Sequence, residues 1–530
     1  MEEALARIDE FVEREIAHDG PPGLALAVTD ATRTLAVRTY GYADLAARIP
    51  VQPTHLFQTG STGKSFAAFM VMQEVEAGRL QLNAPVTDYL PWFKVSSRFA
   101  PITLHHLLTH TAGISTGNDH SLGAEGEVFG LRETEAAWAP GTRFYYSNAG
   151  YKAIGLILER IAGQPYADLL RTRMFEPLGM HAAEPAIVNG IRPRSAMGYQ
   201  RLFDDRPEQR SRPWVPAPFS ESTSADGSIS SNVEDMAVYL RLLLNRGTAP
   251  SGPIVSEAGF DYMTQRFAQD PEDPACQFGF GFYHLEIGGR TFLGHSGGTL
   301  GFTTGMWTEN GLGVIILQNS ERGARWLVPH VLGVMRAAIA GGELPPVPAF
   351  KDPTAVENAA DYVGVYRSGD RVVEIVQDGM RLFIDGVPMD RVDGDVFKVP
   401  HPDLDLFLLT FGREMGAVTE LVNGPDILVN ARHSGFQNAT SYPRQWDSFV
   451  GHYRSHNPSC PDLRVFVRKG VLMARCPFDG ETAESALAQL PSGRFSIGET
   501  PENVYFDQVI NERTMRAVVT NQEYYRTFTP

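Results

Sequence analysis

The chain opens on "MEEALARIDEFVEREIAHDG", where Leu5, Ile8, Val12 and Ile16 recur at helical spacing among acidic neighbours. That period gives a helix one apolar stripe, so the spacing predicts an amphipathic surface helix. "GLALAVTD" and "TLAVRTYGYADL" follow, rich in β-formers and separated at Asp30–Arg33, and predict two neighbouring strands joined by a turn. After Ser61, "FAAFMVMQEVEAGRL" is helical in composition and is stopped by Gly78. "YKAIGLILERIAG" and "EDMAVYLRLLLNRG" are two more helices that end on glycine, the residue a left-handed C-cap favours. "FGFGFYHLEI", "RTFLGH", "FTTGMWTE" and "GLGVIILQN" then arrive as strands with glycine-marked turns, and "ARWLVPHVLGVMRAAIAG" closes the region as a helix. Strands at both ends with helices between them predict one sheet built from both termini, an α+β arrangement.

A break at "GGELPPVPAFKDPT" (341–354) reads as a linker because it is rich in Pro and Gly. Beyond it the long helical patterns stop and short alternating strands take over. Two stretches there match each other, "DYVGVYRSGDRVVEIVQDGMRLFIDG" and "SFVGHYRSHNPSCPDLRVFVRKGVLMA", each carrying V-G-x-Y-R-S, at 363–368 and 450–455. Each repeat also ends on a tyrosine-basic signature, "SYPR" (441–444) and "YYR" (524–526). Duplication predicts two small antiparallel β-barrels of about 85 residues each, the size expected of repeated closed-sheet units. The expected organisation is a helix-and-sheet region over 1–345, then barrels over 346–445 and 446–530.

Composition narrows the function classes. A length of 530 residues exceeds one ordinary core, and 43% hydrophobic content fits a folded chain. The formal net charge of −16, with no concentrated Lys/Arg patch, argues against a nucleic-acid partner. No apolar run reaches the roughly 18 residues of a membrane span, and the acidic start lacks the pattern of a signal peptide. A cytoplasmic location is therefore the expectation, without a membrane partner. Cys276, Cys460 and Cys476 are too few and too scattered for a disulfide framework or a zinc site. Cys460 and Cys476 could meet within their repeat, but a reducing cytoplasm argues against a bond. His105, His106 and His110 suggest a metal cluster at first sight. Adjacent histidines point in different directions on a helix and no Asp or Glu sits at ligand spacing, so a structural use is expected and no metal.

Two serines compete for the role of nucleophile. "GHSGG" (294–298) matches the G-x-S-x-G elbow, which places its serine on a sharp turn between a strand and a helix. After Ser296 comes "TLGFTTGMWTENGLGVIILQN", which reads as more strand, so the required helix is missing. The other candidate is Ser61 in "LFQTGSTGKSFAAF", followed at i+3 by Lys64 at the start of a helix. Residues i and i+3 share a helical face, which sets the Lys64 amine beside the Ser61 hydroxyl. A helix N-terminus and partial burial both disfavour an ammonium, so Lys64 is able to accept a proton. The bland alternative is a capping serine beside a surface lysine, but the apolar run that follows puts Lys64 at the start of a core helix. "PGTRFYYSNAGYKAIGLILE" adds Tyr146-Ser147-Asn148, 85 residues after Ser61 and just before a helix.

Ser-x-x-Lys, Tyr-x-Asn and His-x-Gly, in this order and with these separations, resemble the serine β-lactamase and penicillin-recognising hydrolase superfamily. "ITLHHLLTHTAGI" (102–114), "PGTRFYYSNAGY" (140–151) and "FGFGFY" (278–283) are similar to that family's scaffold. The resemblance spans about residues 1–345 and implies a β-lactamase/transpeptidase-like catalytic domain. Two barrels after it look most like the D-aminopeptidase branch, whose barrels are lipocalin-like. The resemblance implies that Ser61 becomes the acyl-enzyme, that Lys64 accepts or shuttles its proton, and that Tyr146 acts as base and later as acid. It implies an oxyanion hole from the N–H groups of Ser61 and Gly298, a substrate-binding Asn148 that also bonds Lys64, and further substrate contacts at His295 and Gly297. No cofactor is implied, since nucleophile and base are side chains.

One departure matters. Penicillin-binding members carry Lys-Thr-Gly or Lys-Ser-Gly where this chain has His295-Ser296-Gly297. A histidine is mostly neutral at pH 7 and attracts a carboxylate less than lysine does. The expected substrates are then small molecules or peptides without a carboxylate at that spot. An amidase or aminopeptidase leads; a carboxylesterase, an acyl transferase or cyclase, a weak β-lactamase or DD-carboxypeptidase, and a non-catalytic binder follow. A homodimer is the expected assembly. The long Arg/Pro-rich stretch 186–221 is expected to line the cleft beside a lid at 115–135, a solvated excursion being the alternative.

Overall fold

Leu24, Leu26 and Val28 point to one side of the strand Gly23–Asp30 and Ala25 and Ala27 to the other, and both sides are buried. This strand sits inside a nine-stranded antiparallel sheet. Its neighbours are the hairpin partner Thr34–Asp44 and, from the far end of the region, Leu312–Gln318, with Ala27 opposite Ile315. The sheet continues outward through Phe302–Glu309, Arg290–Thr299 and Tyr283–Ile287. Both ends of the region thus close one sheet, as the strand signals predict. The computed structural model describes residues 1–118, 123–433, 441–475 and 484–528. Cys476 lies outside them.

Each face of the sheet has its own helical layer. The first helix, Glu2–Asp19, buries Ala4, Ile8, Phe11 and Val12 together with Val331, Leu332 and Met335 of the closing helix Val328–Ala340. On the opposite face lie Gly63–Glu76, Asn148–Ala162 and Val233–Leu244. The helix Gly63–Glu76 is buried almost all round, with Phe66 stacked on Tyr239 at 3.7 Å between ring centroids. A helix apolar on every side is packed from every side, which makes it a rigid base for whatever its first turn carries. Gly78 (φ 71) and Gly163 (φ 67) take the left-handed turn at their helix ends. After the helix Val233–Leu244, Arg246 (φ 51) and then Gly247 (φ 86) are both left-handed, so the turn begins one residue before the glycine.

The described chain divides into two compact units. The first holds the sheet, its helices and the short segment Asn457–Ser459, where the Asn457 amide donates to the Asn118 carbonyl. The second holds residues 349–456 and 460–530 and, unexpectedly, Arg201–Pro213. Among its strands, Gly364–Ser368 pairs with both Arg371–Asp378 and Asp426–Asn430. The two ends of that nine-stranded ribbon, Val387–Pro388 and Asp390–Asp393, are joined through Met389, so the ribbon curls nearly shut. The following eight strands form a closed barrel in which Gly451–Arg454 pairs with Asp462–Arg468 and Gln522–Arg526.

The duplicated motif occupies the first strand of each sheet. Tyr366 and Tyr453 are both fully buried, and each hydroxyl donates to the carbonyl four residues earlier, of Tyr362 and Phe449. "SYPR" is different from its supposed counterpart. The nearly closed ribbon ends at Asn430, and Arg444 starts the short turn Arg444–Ser448 that leads into the closed barrel.

Charge locks Arg201–Pro213 into its unit. Arg206 donates to both carboxylate oxygens of Asp405 at 3.0 and 3.1 Å, and Arg212 adds a third contact at 2.9 Å. Arg210 forks onto Asp390. Asp405 is 1% exposed, and a carboxylate so buried depends on these partners. Removing one side of such a buried pair strands the other. Asp405→Ala is therefore expected to cost about 3 kcal/mol in urea unfolding, whereas a loss under about 1 kcal/mol would class the network with exposed surface pairs.

Candidate active site

The site is assembled where two backbones approach unusually closely. Phe57–Gln58 pairs with Ser230–Ser231, and the chain then turns at Gly60 (φ 54) into a single 3-10 turn, Gly60–Thr62. Ser61 sits in that turn, partly exposed, directly ahead of the helix Gly63–Glu76. A Cβ on Gly60 would lie 2.6 Å from the nitrogen and oxygen of Gly298, and one on Gly297 would lie 1.9 Å from the Thr59 carbonyl. Only glycine lets the strand Arg290–Thr299 touch the turn that carries Ser61.

Lys64 lies in the first helical turn and is fully buried. Its Nζ hydrogen-bonds with Ser61 Oγ at 3.0 Å, Asn148 Oδ1 at 2.7 Å and the Asp226 carbonyl at 2.8 Å. The last two only accept hydrogen bonds, so they hold two of the N–H groups. The third position faces a hydroxyl, which either accepts from an ammonium or donates to a neutral amine. Of these three contacts, the one to Ser61 is able to reverse direction. Beneath the ammonium lies the Tyr146 ring, its centroid 4.8 Å from Nζ. Ser147 caps the helix Asn148–Ala162 by accepting from Gly150 N–H, which fixes Tyr146 and Asn148 on either side of the cap.

Ser296 is placed otherwise. It pairs with Gly305 inside the antiparallel sheet, the strand runs on to Thr299, and the next element is another strand. No helix follows it, so the elbow geometry is absent. Gly298 is exposed, on a stretch whose outer partner strand stops at Tyr283 opposite Gly294. His295 is buried, and its Nδ1–H donates to the Ser296 carbonyl. Burial first, and then the nearby Lys64 charge, push it down to about 3. Its ring packs 5.0 Å from Tyr283 and 6.1 Å from Tyr146 and does not border the cavity at Ser61.

That cavity has a volume of about 270 Å³. Ser61, Asn148 and Gly298 border it, together with Glu127, Lys152, Glu221 and Asp226. From the proposed lid come Gly123, Ala124 and Glu127; from the stretch 186–221 only Glu221. The rest of that stretch lies elsewhere, its middle built into the second unit. Lys152 bonds Glu127 at 2.7 Å and lies 3.6 Å from Asp226. Lys152 and Asp226 were not singled out in the sequence. Lys152 stands four residues after Asn148, one helical turn on the same face, and that spacing was a usable signal. Asp226 bonds Lys64 through its backbone, for which no side-chain pattern exists.

His105 and His106 are structural. His106 Nδ1 accepts from Thr103 N–H in a capping box, and His105 packs on Phe267 and Phe280. Burial lowers both from the usual histidine value. Among the described residues no group of His, Cys, Asp or Glu is arranged to hold a metal ion. Nor is any described helix long and apolar enough to cross a membrane.

A serine and a lysine one helical turn apart, with a Tyr-x-Asn against the lysine and a glycine strand beside the serine, define a serine hydrolase of the β-lactamase-like class. The β-lactamase family model matches residues 8–327, and the chain belongs to that family. Penicillin-binding protein 4 of Amycolatopsis lactamdurans is 30% identical over 311 residues, 56% of this chain and 79% of that protein. The octameric penicillin-binding protein homologue of Pyrococcus abyssi is similar over 80% of this chain and all of its own, at 25% identity and a TM-score of 0.59. The D-amino acid amidase of Ochrobactrum anthropi SV3 shares the fold over 63% of this chain and 99% of its own, at 23% identity and a TM-score of 0.52.

Two outcomes follow from the site. Ser61→Ala is expected to lower turnover by about 10⁴-fold or more, while Ser296→Ala stays within about threefold of wild type because the strand ladder survives; the reverse ranking refutes the site. The acid side of stability carries the second. His295 is neutral when folded and takes a proton near 6.5 when unfolded, so the unfolded chain binds the extra proton between pH 6.5 and about 3. Stability then falls as pH falls through that window, by about 1.4 kcal/mol per unit for this one residue. Chemical denaturation of His295→Gln from pH 6 to 4 should show a slope shallower by that amount, and an unchanged slope would contradict the burial.

Proposed function

We propose that this serine hydrolase cleaves amide bonds through an acyl-enzyme on Ser61 and prefers substrates with a free amino group beside the scissile carbonyl, as in D-aminoacyl amides and amino-terminal peptides. The observation that carries this reading is the charge on the cavity wall. Among the described residues that border it, Glu127, Glu221 and Asp226 stand against one cation, Lys152, and buried His295 brings no positive charge. Such a wall suits an ammonium and repels a carboxylate. The D configuration is drawn from the amidase that shares the fold.

In this reading Ser61 Oγ attacks the carbonyl carbon as its proton passes to the Lys64 amine, whose other two hydrogens stay with Asn148 and Asp226. Tyr146, packed against Lys64, relays a proton to the leaving amine, which departs neutral. The Ser61 and Gly298 N–H groups hold the oxyanion, each worth about 3 kcal/mol of barrier. Water then enters by the same route in reverse and releases the acid. Asn148 binds the substrate amide from the cavity wall, and His295 and Gly297 act by shaping the strand. Self-association, as a homodimer, belongs to the same reading.

A panel of D- and L-aminoacyl p-nitroanilides with their N-acetyl counterparts and p-nitrophenyl esters tests it. Free-amine D-substrates should exceed their N-acetylated forms in kcat/KM by about tenfold or more, the weight of one charge-assisted contact. Faster turnover of N-acylated substrates, or cleavage of esters alone, overturns the amino-group assignment.

A further inference from the structure

His110 belongs to "LLTHTAG", a stretch to which the mechanism above assigns no part. It is 1% exposed and takes a left-handed backbone, φ 55, uncommon for a residue other than glycine. Two contacts explain why the chain turns there. Its Nδ1 accepts from the Ser147 backbone N–H at 2.9 Å, and its ring lies nearly face to face with Tyr146, 4.2 Å between centroids and tilted by 33°. The backbone joins in, since the Tyr145 N–H donates to the His110 carbonyl at 2.8 Å. Residues 145, 146 and 147 are thus all held from this one position.

The tautomer follows from the bonding. An Nδ1 that accepts puts the ring proton on Nε2, and that atom is buried with no hydrogen-bond partner among the described residues. The surroundings keep the ring neutral: Phe278, Tyr151 and Phe144 pack within 6 Å, and burial first, then the Lys64 charge, holds it well below the usual histidine value. A neutral, flat, hydrogen-bonded ring is a template against which a second ring is set. Nothing of His110 borders the cavity.

We propose that His110 is a positioning residue for Tyr146, fixing the height and tilt of its ring beneath Lys64. The proposal rests on the proton-transfer role given to Tyr146 and not on the substrate class. Its two contacts separate by substitution. His110→Asn keeps an acceptor near Nδ1 and tolerates the left-handed backbone, but removes the ring. His110→Phe keeps a ring and removes the acceptor, at a position where phenylalanine is strained.

The experiment is the rate of Ser61 phosphonylation by a fluorophosphonate, with kcat and KM for a p-nitrophenyl ester per titrated active site and the thermal midpoint alongside. His110→Asn should keep its midpoint within about 5 °C and its KM within about threefold, while phosphonylation and kcat fall about 100-fold, the cost of an ångström of misplacement. His110→Phe should lose midpoint, while its folded fraction acylates within about tenfold of wild type. His110→Asn at the wild-type rate overturns the positioning, as does a loss of rate that tracks lost midpoint in both variants. Tyr146→Phe, run in parallel, tells the two failures apart. If it is slow while His110→Asn is fast, only the positioning falls. If both are fast, the role of Tyr146 falls and the positioning with it.

Discussion

The site depends on how the hydrogens of one buried amine are shared out. Among the hydrogen bonds of Lys64 are two to atoms with nothing to donate, Asn148 Oδ1 and the Asp226 carbonyl. They take two hydrogens, while the contact to the Ser61 hydroxyl runs in either direction. A contact able to carry a proton either way therefore joins Lys64 to Ser61 before any substrate arrives. A lysine on a solvated helix face would share its hydrogens with water and lose that constraint, which is why its complete burial matters.

Everything around this amine serves to keep it still. The helix below it is buried on nearly every side, so its first turn does not fray. The cap at Ser147 sets Asn148 and Tyr146 on either side of the lysine, and the two termini of the region close one sheet behind them. Gly60 and Gly297 bring the Arg290–Thr299 strand against the Ser61 turn at a spacing no side chain allows. The same glycines that make "GHSGG" look like a nucleophile elbow are there for contact between backbones. A motif that matches by letter was separated from one that matches by geometry because the residues after Ser296 are strand formers.

Much of this was legible in the chain. The i+3 spacing of Ser61 and Lys64, the Tyr146-Ser147-Asn148 run just before a helix and the strand character after Ser296 are local, and local spacing survives folding. The duplicated V-G-x-Y-R-S was also legible, because each copy makes the same bond four residues back. What was hidden is non-local or made by backbone. The Asp226 carbonyl carries no side-chain signature, and the building of Arg201–Pro213 into the second unit depends on Asp390 and Asp405, nearly two hundred residues away. His295 could be read as neutral, but its withdrawal from the cavity follows from the alternation of the strand and the rings packed on it.

The central claim is that Lys64 acts by exchanging a proton with Ser61 and not merely by carrying charge. Lys64→Arg separates the two, because arginine keeps the charge and the donors but does not give up its proton. The decisive measurement is the second-order rate of Ser61 phosphonylation in Lys64→Arg, with the native fold checked by circular dichroism. A fall of about 10³-fold in a folded variant is the predicted result. A rate within about tenfold of wild type would contradict it and leave Lys64 as an electrostatic fixture.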